Sequence, residues 1–145
     1  MPAVGASSST FAYTVNGAAP CLNDTSLATV TINPQPNSGA DGNVTVCDSS
    51  VASISLFSLI TGEQPGGVWT RTSGAGGTFN AASGTFVPAT GASSSTFTYT
   101  LGGAAPCVND ASLATIIINP QPNAGLDGNT SVCETNNASI NLFTL

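Results

Sequence analysis

The chain has 145 residues, a single cationic side chain (Arg71), no lysine or histidine, and seven acids, for a formal net charge of −6. Nucleic acid and anionic membrane surfaces are bound through clustered Lys and Arg, so both drop out as partners. Acid–base catalysis would fall to carboxylates alone, so the chain is not expected to be an enzyme, while a hydrophobic content of 41% with few charges argues against a disordered chain.

The first predicted element runs over residues 9–15, where Phe11, Tyr13 and Val15 alternate with Thr10, Ala12 and Thr14. This is the pattern of a half-buried strand. Residues 16–20 (NGAAP) break it, and 27–32 form a second strand with Ala28, Val30 and Ile32 on one face. The segment 33–42 (NPQPNSGADG) cannot continue a ladder, because proline has no amide to donate and Asp-Gly favours a turn. Two prolines one residue apart stiffen it into a semi-rigid connector. Strands are expected next over 44–47 and 51–60, the second placing Ile54, Leu56 and Ile60 on one face. A turn at 62–67, a strand at 68–72 carrying the only tryptophan, Trp69, and short strands at 78–79 and 85–87 complete the set. No stretch shows the 3.6-residue period of a helix.

At residue 91 the opening motif begins again: GASSSTF at 5–11 returns at 91–97, a shift of 86 residues. The same shift aligns 2–59 with 88–145, and 40 of those 58 paired positions are identical. A fixed period of this length is the signature of a repeat array. About seven short strands per period fit an immunoglobulin-like β-sandwich. The expected fold is therefore all-β, with tandem sandwich repeats of about 86 residues joined by short Pro-rich linkers. The expected division is 1–33 as the C-terminal part of a preceding repeat, 34–42 as linker, 38–120 as one complete repeat, 121–128 as linker, and 129–145 as the N-terminal part of a following repeat. The chain reads as an excerpt of a longer array. The incomplete end pieces expose unpaired edges and half a core, and are expected to pair with other chains or fray.

Cysteines fall at 21, 47, 107 and 133, two per period. In a Thr-rich chain without lysine they suggest disulfides and an oxidising, extracellular setting. Zinc is disfavoured, since neither a Cys-x-x-Cys pair nor a histidine is present. The expected bond joins Cys47 to Cys107, leaving Cys21 and Cys133 to pair with residues outside this chain. The loop between the last two strands of a sandwich lies at the same end as the start of the first strand. The competing connectivity, Cys21 with Cys47 and Cys107 with Cys133, asks each bond to reach along a whole unit, well beyond the roughly 7 Å that bonded cysteines allow between their Cα atoms.

Asp41 and Asp127, one in each Asp-Gly of the connectors, have two readings: a turn, or an oxygen ligand for a calcium ion that stiffens the joint. A calcium site wants several carboxylates together, so the turn is favoured and calcium is a low-ranked cofactor. Asn23, Asn43, Asn129 and Asn137 each begin an N-glycosylation acceptor pattern, which an Asn- and Thr-rich chain produces by chance. Trp69 is read as core in preference to a sugar-stacking platform, and Phe57, Phe97 and Tyr99 are assigned to the core with it.

Three stretches, VCDSSVASISLFSLITGEQPGGVWTRTSGAGGTFNAASGTFVPA, TFTYTLGGAAPCVNDASLATIIINPQPNAG and PNAGLDGN, resemble the repeat arrays of large secreted surface adhesins of gliding bacteria, the SprB type. The resemblance covers essentially the whole chain. It implies a filament on the bacterial cell surface that adheres to a substratum while it is moved along the cell. The expected function is a structural stalk repeat giving length and stiffness, with neighbouring repeats of the array as partners. The alternative is an adhesive module that grips glycan or a surface through Thr, Ser and Asn faces, with a substratum or polysaccharide as partner and ice binding as a minor variant. No insertion into a membrane is expected, since no apolar run is long enough to cross one.

Overall fold

The computed structural model describes residues 5–50, 52–135 and 139–144, and within them the regular structure is nine strands and two single 3-10 turns. Alternation of bulky and small polar residues makes two antiparallel pairs, β1 (Ser9–Val15) with β2 (Asp24–Val30) and β8 (Ser95–Leu101) with β9 (Asp110–Asn119). β1 and β2 stand as a two-stranded sheet. A four-stranded sheet has the order β3-β9-β8-β5, with β3 at Gly42–Cys47 and β5 at Val68–Ser73. A three-stranded sheet has the order β4-β7-β6, with β4 at Ile54–Ser55, β6 at Thr78–Asn80 and β7 at Thr85–Val87. All pairs are antiparallel except β3 with β9, which runs parallel from Gly42 opposite Ala114 to Cys47 opposite Asn119.

The two larger sheets share one core. Trp69, Phe97, Tyr99, Ala114, Ile116 and Ile118 come from the four-stranded sheet and Phe86 from the three-stranded one, with Leu56 and Ile60 from the chain after β4. The expected strand over 51–60 needs correction. Val51 lies outside the described residues, and β4 ends after two residues because the Ser55 carbonyl accepts the Ser58 hydroxyl at 2.7 Å and the Leu56 carbonyl accepts the Leu59 amide at 3.1 Å. These local bonds replace the ladder with a 3-10 turn. Leu56 and Ile60 still reach the core, as the apolar pattern predicted.

Of the four aromatic residues assigned to the core, Trp69, Phe97 and Tyr99 are buried, whereas Phe57 is corrected to the margin at 38% exposed. It sits on the 3-10 turn and meets Trp69 and Tyr99 edge-on, with centroids at 5.5 and 5.4 Å. The only cation is absorbed by the fold. Arg71 lies over the Phe86 and Phe97 rings at 5.2 and 5.8 Å and donates to the Gly76 carbonyl and the Ser95 hydroxyl, each at 2.7 Å, which fixes the glycine loop after β5. Tyr99 does the same for the loop before β5: its hydroxyl accepts from the Gly67 amide at 2.9 Å and donates to the Gln64 carbonyl at 2.8 Å. Gly42 is required by close approach, since a Cβ there would run into the Leu59 carbonyl oxygen.

Candidate functional site: the Pro-rich segments and their cysteines

Segment 33–42 makes its own turn. Gly39 has φ of 93°, in the left-handed region, and donates to Asn37 Oδ1 at 3.0 Å; Gly125 repeats both features, with φ of 93° and a 2.8 Å bond to Asn123 Oδ1. Docking is a separate matter. Asn37 accepts from the Gln64 amide and donates its own amide to Gln64 Oε1, both at 2.9 Å, and Ala40 bridges Thr61. Ser38 is fully buried, and both its amide and its hydroxyl donate to Asp110 Oδ2, at 2.7 and 2.9 Å, while the Ser112 hydroxyl donates to the Ser38 carbonyl at 2.7 Å. The Ser38 amide, then its hydroxyl, hold the Asp110 carboxyl below its ordinary value. The connector is thus clamped to the strands that follow it. Sequence reasoning missed Ser38 and Gln64, and read Asp110 as closing its loop, not as the acceptor for Ser38; a buried serine in a turn carries no pattern that separates it from an exposed one.

The second segment is held from the other side. The Asn119 carbonyl accepts the Asp48 amide at 2.9 Å, Asp48 Oδ1 accepts the Gln121 amide at 2.9 Å, and Gln121 Oε1 accepts from the Ser49 hydroxyl at 2.9 Å and the Cys47 thiol at 3.0 Å. From residue 119 to residue 135 the side chains are exposed.

All four cysteines are unpaired. The expected bond between Cys47 and Cys107 is a correction, and its cause is the position of Cys47 along β3. The start of β3 does lie near the β8–β9 loop, but Cys47 ends the strand and is level with Asn119. Cys107 precedes Asp110 at the other end of β9, about 30 Å away at roughly 3.3 Å per residue, far beyond disulfide reach. Cys107 Sγ instead lies 3.4 Å from the Asn33 carbonyl oxygen, beside an Asn33 side chain that donates to the Ala105 carbonyl at 2.7 Å. Cys21 and Cys133 are exposed. The Thr135 hydroxyl, 3.5 Å from Cys133 Sγ, holds that thiol below its usual range.

Asp41 Oδ1 accepts the Leu113 amide at 2.8 Å, so this carboxylate tethers the start of β3 to β9; Asp127 is exposed. Among the described residues no three His, Cys, Asp or Glu side chains gather as metal ligands would. Asn23 and Asn109 close their loops by accepting from Gly17 and Gly103, each at 3.0 Å. Asn43 and Asn129 are exposed, and Asn137 lies outside the described residues. Trp69 is 2% exposed, so it offers no stacking platform; its indole nitrogen has no hydrogen-bond partner.

The outer face of the four-stranded sheet gathers threonines: Thr70 and Thr72 on β5, Thr96, Thr98 and Thr100 on β8, and Thr115 on β9, all opposite in side to the buried residues of those strands. No helix among the described residues is long and apolar enough to cross a membrane. No protein-family model, curated protein or solved structure matches the chain.

Proposed function

We propose that the chain is a load-bearing stalk segment of a secreted bacterial surface adhesin of the SprB type, built of tandem immunoglobulin-like sandwich repeats and acting outside the cell. The observation that carries this reading is the pairing of β3 with β9. A pull along the chain enters the seven-strand body at Gly42 and leaves at Asn119. Because β3 and β9 are parallel neighbours over six residue pairs, the pull loads those bonds together in shear and does not open them one at a time. The Ser38, Asp110 and Ser112 contacts clamp the connector where the load enters. The 86-residue repeat and the strand orders β3-β9-β8-β5 and β4-β7-β6 support the tandem sandwich reading.

Force spectroscopy tests it. Pulled by its termini, the chain is expected to unfold in one high-force event. Pulled through handles at Thr100 and Ala111, a facing pair at the loop end of β8 and β9, it is expected to unzip at several-fold lower force. Equal forces in the two geometries would refute a load-bearing role.

The threonine face supports a second reading, direct adhesion to glycan. Retention of the folded chain on a polysaccharide array, lost on replacing Thr98 and Thr115 by valine, would favour adhesion over a passive stalk.

A further inference from the structure

Where β3 ends, a thiol, a carboxamide, a hydroxyl and a carboxylate meet. Gln121 Oε1 accepts from the Cys47 thiol at 3.0 Å and from the Ser49 hydroxyl at 2.9 Å, and that hydroxyl lies 3.2 Å from Cys47 Sγ. Asp48 Oδ1 accepts the Gln121 backbone amide at 2.9 Å and stands 3.9 Å from Cys47 Sγ. The ladder sets this meeting, because Cys47 is the partner of Asn119 and Gln121 follows two residues later. A C=O bond is about 1.23 Å long, so the Gln121 carboxamide carbon lies no more than about 4.2 Å from the sulfur.

A thiol nucleophile beside a carbonyl carbon, with a hydroxyl already donating to the carbonyl oxygen, is the arrangement that acyl transfer requires. We propose that Cys47 and Gln121 close an internal thioester, which holds an acyl group ready for transfer to a primary amine. The Cys47 sulfur attacks Gln121 Cδ, and the C=O electron pair moves onto Oε1, where the Ser49 hydroxyl stabilises it. The carbonyl then re-forms as the C–N bond breaks. The thiol proton passes by way of Asp48 to the departing nitrogen, which leaves as ammonia. One S–C bond replaces one C–N bond, nothing is oxidised or reduced, and no co-reactant enters. An amine that later attacks the same carbon forms an amide and returns the Cys47 thiol. Holding two reacting groups in contact is equivalent to a concentration of about 10⁵–10⁸ M, which is what an amide, a poor acyl donor, needs.

Three further features fit this chemistry. The chain has no lysine, so no side-chain amine of its own can consume the acyl group. Cys47 is half-buried and Gln121 exposed, which leaves the carbon open to an amine from outside. The same order of groups returns at the 86-residue shift: Glu134 and Thr135 follow Cys133 as Asp48 and Ser49 follow Cys47, and Gln35 is the counterpart of Gln121. There too the hydroxyl approaches the sulfur, with Thr135 Oγ1 at 3.5 Å from Cys133 Sγ.

Intact-mass and peptide mass spectrometry of the folded full chain, alkylated after folding in reductant, tests the bond. The expected chain is lighter by one ammonia, with Cys21, Cys107 and Cys133 alkylated and Cys47 blocked. Methylamine is expected to free Cys47 for alkylation and to leave an N-methylated carboxamide at Gln121. Conversion of Gln121 to the acid that requires Cys47 supports the bond equally, water having opened it. Cys47→Ala and Gln121→Glu are expected to abolish the loss, Cys21→Ser to leave it, and Ser49→Ala to slow it at least about tenfold. Fluorescence of the buried Trp69 checks that each variant is folded. A folded parent chain of full mass with an unaltered Gln121 and four alkylatable thiols would overturn the proposal. So would an ammonia loss that persists in Cys47→Ala, which would come from an asparagine closing on its backbone, as at Asn16-Gly17. These outcomes do not depend on the adhesin reading. Terminal pulling to read the shear of β3 against β9 uses methylamine-treated chain, since an intact bond carries load past the residues between Cys47 and Gln121.

Discussion

The β1–β2 and β8–β9 hairpins carry nearly the same sequence and fold to the same register, yet one is bare and the other is the centre of a core. Phe11 faces Ala28 as Phe97 faces Ala114, and Tyr13 faces Ser26 as Tyr99 faces Ser112. Even the side-chain ties recur: Ile32 donates to Ser8 Oγ at 3.0 Å, and Ile118 to Ser94 Oγ at 2.9 Å. Exposure separates them, with Phe97 at 0% against Phe11 at 58% and Tyr99 at 1% against Tyr13 at 71%. Register is therefore written in the hairpin, while burial is supplied by β3 to β7 and the loops between them. The difference matters energetically, because burying one large side chain contributes about 1.5–3 kcal/mol and a lone two-stranded hairpin is marginal in water.

Truncating equivalent aromatics separates the two hairpins most strongly. Phe97→Ala is expected to cost about 3–5 kcal/mol by opening a cavity in the shared core, and Phe11→Ala at most about 0.5 kcal/mol, as for other exposed sites. Urea unfolding followed by fluorescence of the buried Trp69 reads both. Similar losses would mean that the β1–β2 hairpin is covered in solution.

Arg71, the single cation of the sequence, has no counterpart beside β1. Arg71→Met keeps the stem and deletes the guanidinium, and with it the approach to Phe86 and Phe97 and the bonds to Gly76 and Ser95. A loss of about 1–3 kcal/mol is expected. Retained stability would show that the glycine loop holds its own shape. Tyr99→Phe removes the hydroxyl between Gly67 and Gln64 and is expected to cost about 1–2 kcal/mol, whereas Tyr13→Phe should not shift the transition.

Much of this was legible in the chain. Period-2 alternation gave the hairpins, the 86-residue shift gave the equivalences, and Gly and Pro marked the turns. The strand expected over 51–60 stops short because the Ser58 hydroxyl and the Leu59 amide bond back to the turn and compete with the ladder, and alternation cannot register such competition. The cysteines were misread for a different reason. Placing Cys47 in the first strand was right, but the end of that strand on which it falls decides its neighbours, and a six-residue strand spans about 17–20 Å. The clamp of Ser38 on Asp110 was invisible because the two residues are 72 apart and neither belongs to an apolar pattern.

That clamp gives the smallest predicted effect, and its sign follows from the direction of the Asp110 shift. The Ser38 amide and hydroxyl favour the charged carboxylate, so the folded-state value lies below the unfolded one, ordinarily near 3.8. A group depressed on folding adds stability that is complete above the unfolded value and is lost as pH falls through the folded value. Stability should therefore decline on acidification below about pH 5, and Asp110→Asn should flatten the part of that decline that Asp110 causes. The asparagine variant keeps an acceptor for Ser38 but not its charge, so at neutral pH it should be less stable than the parent, and the two should converge in acid. Parallel curves for parent and variant from pH 7 to pH 2 would show that the connector is held by its shape and by its bonds to Gln64, Thr61 and Ser112, with the carboxylate contributing nothing specific.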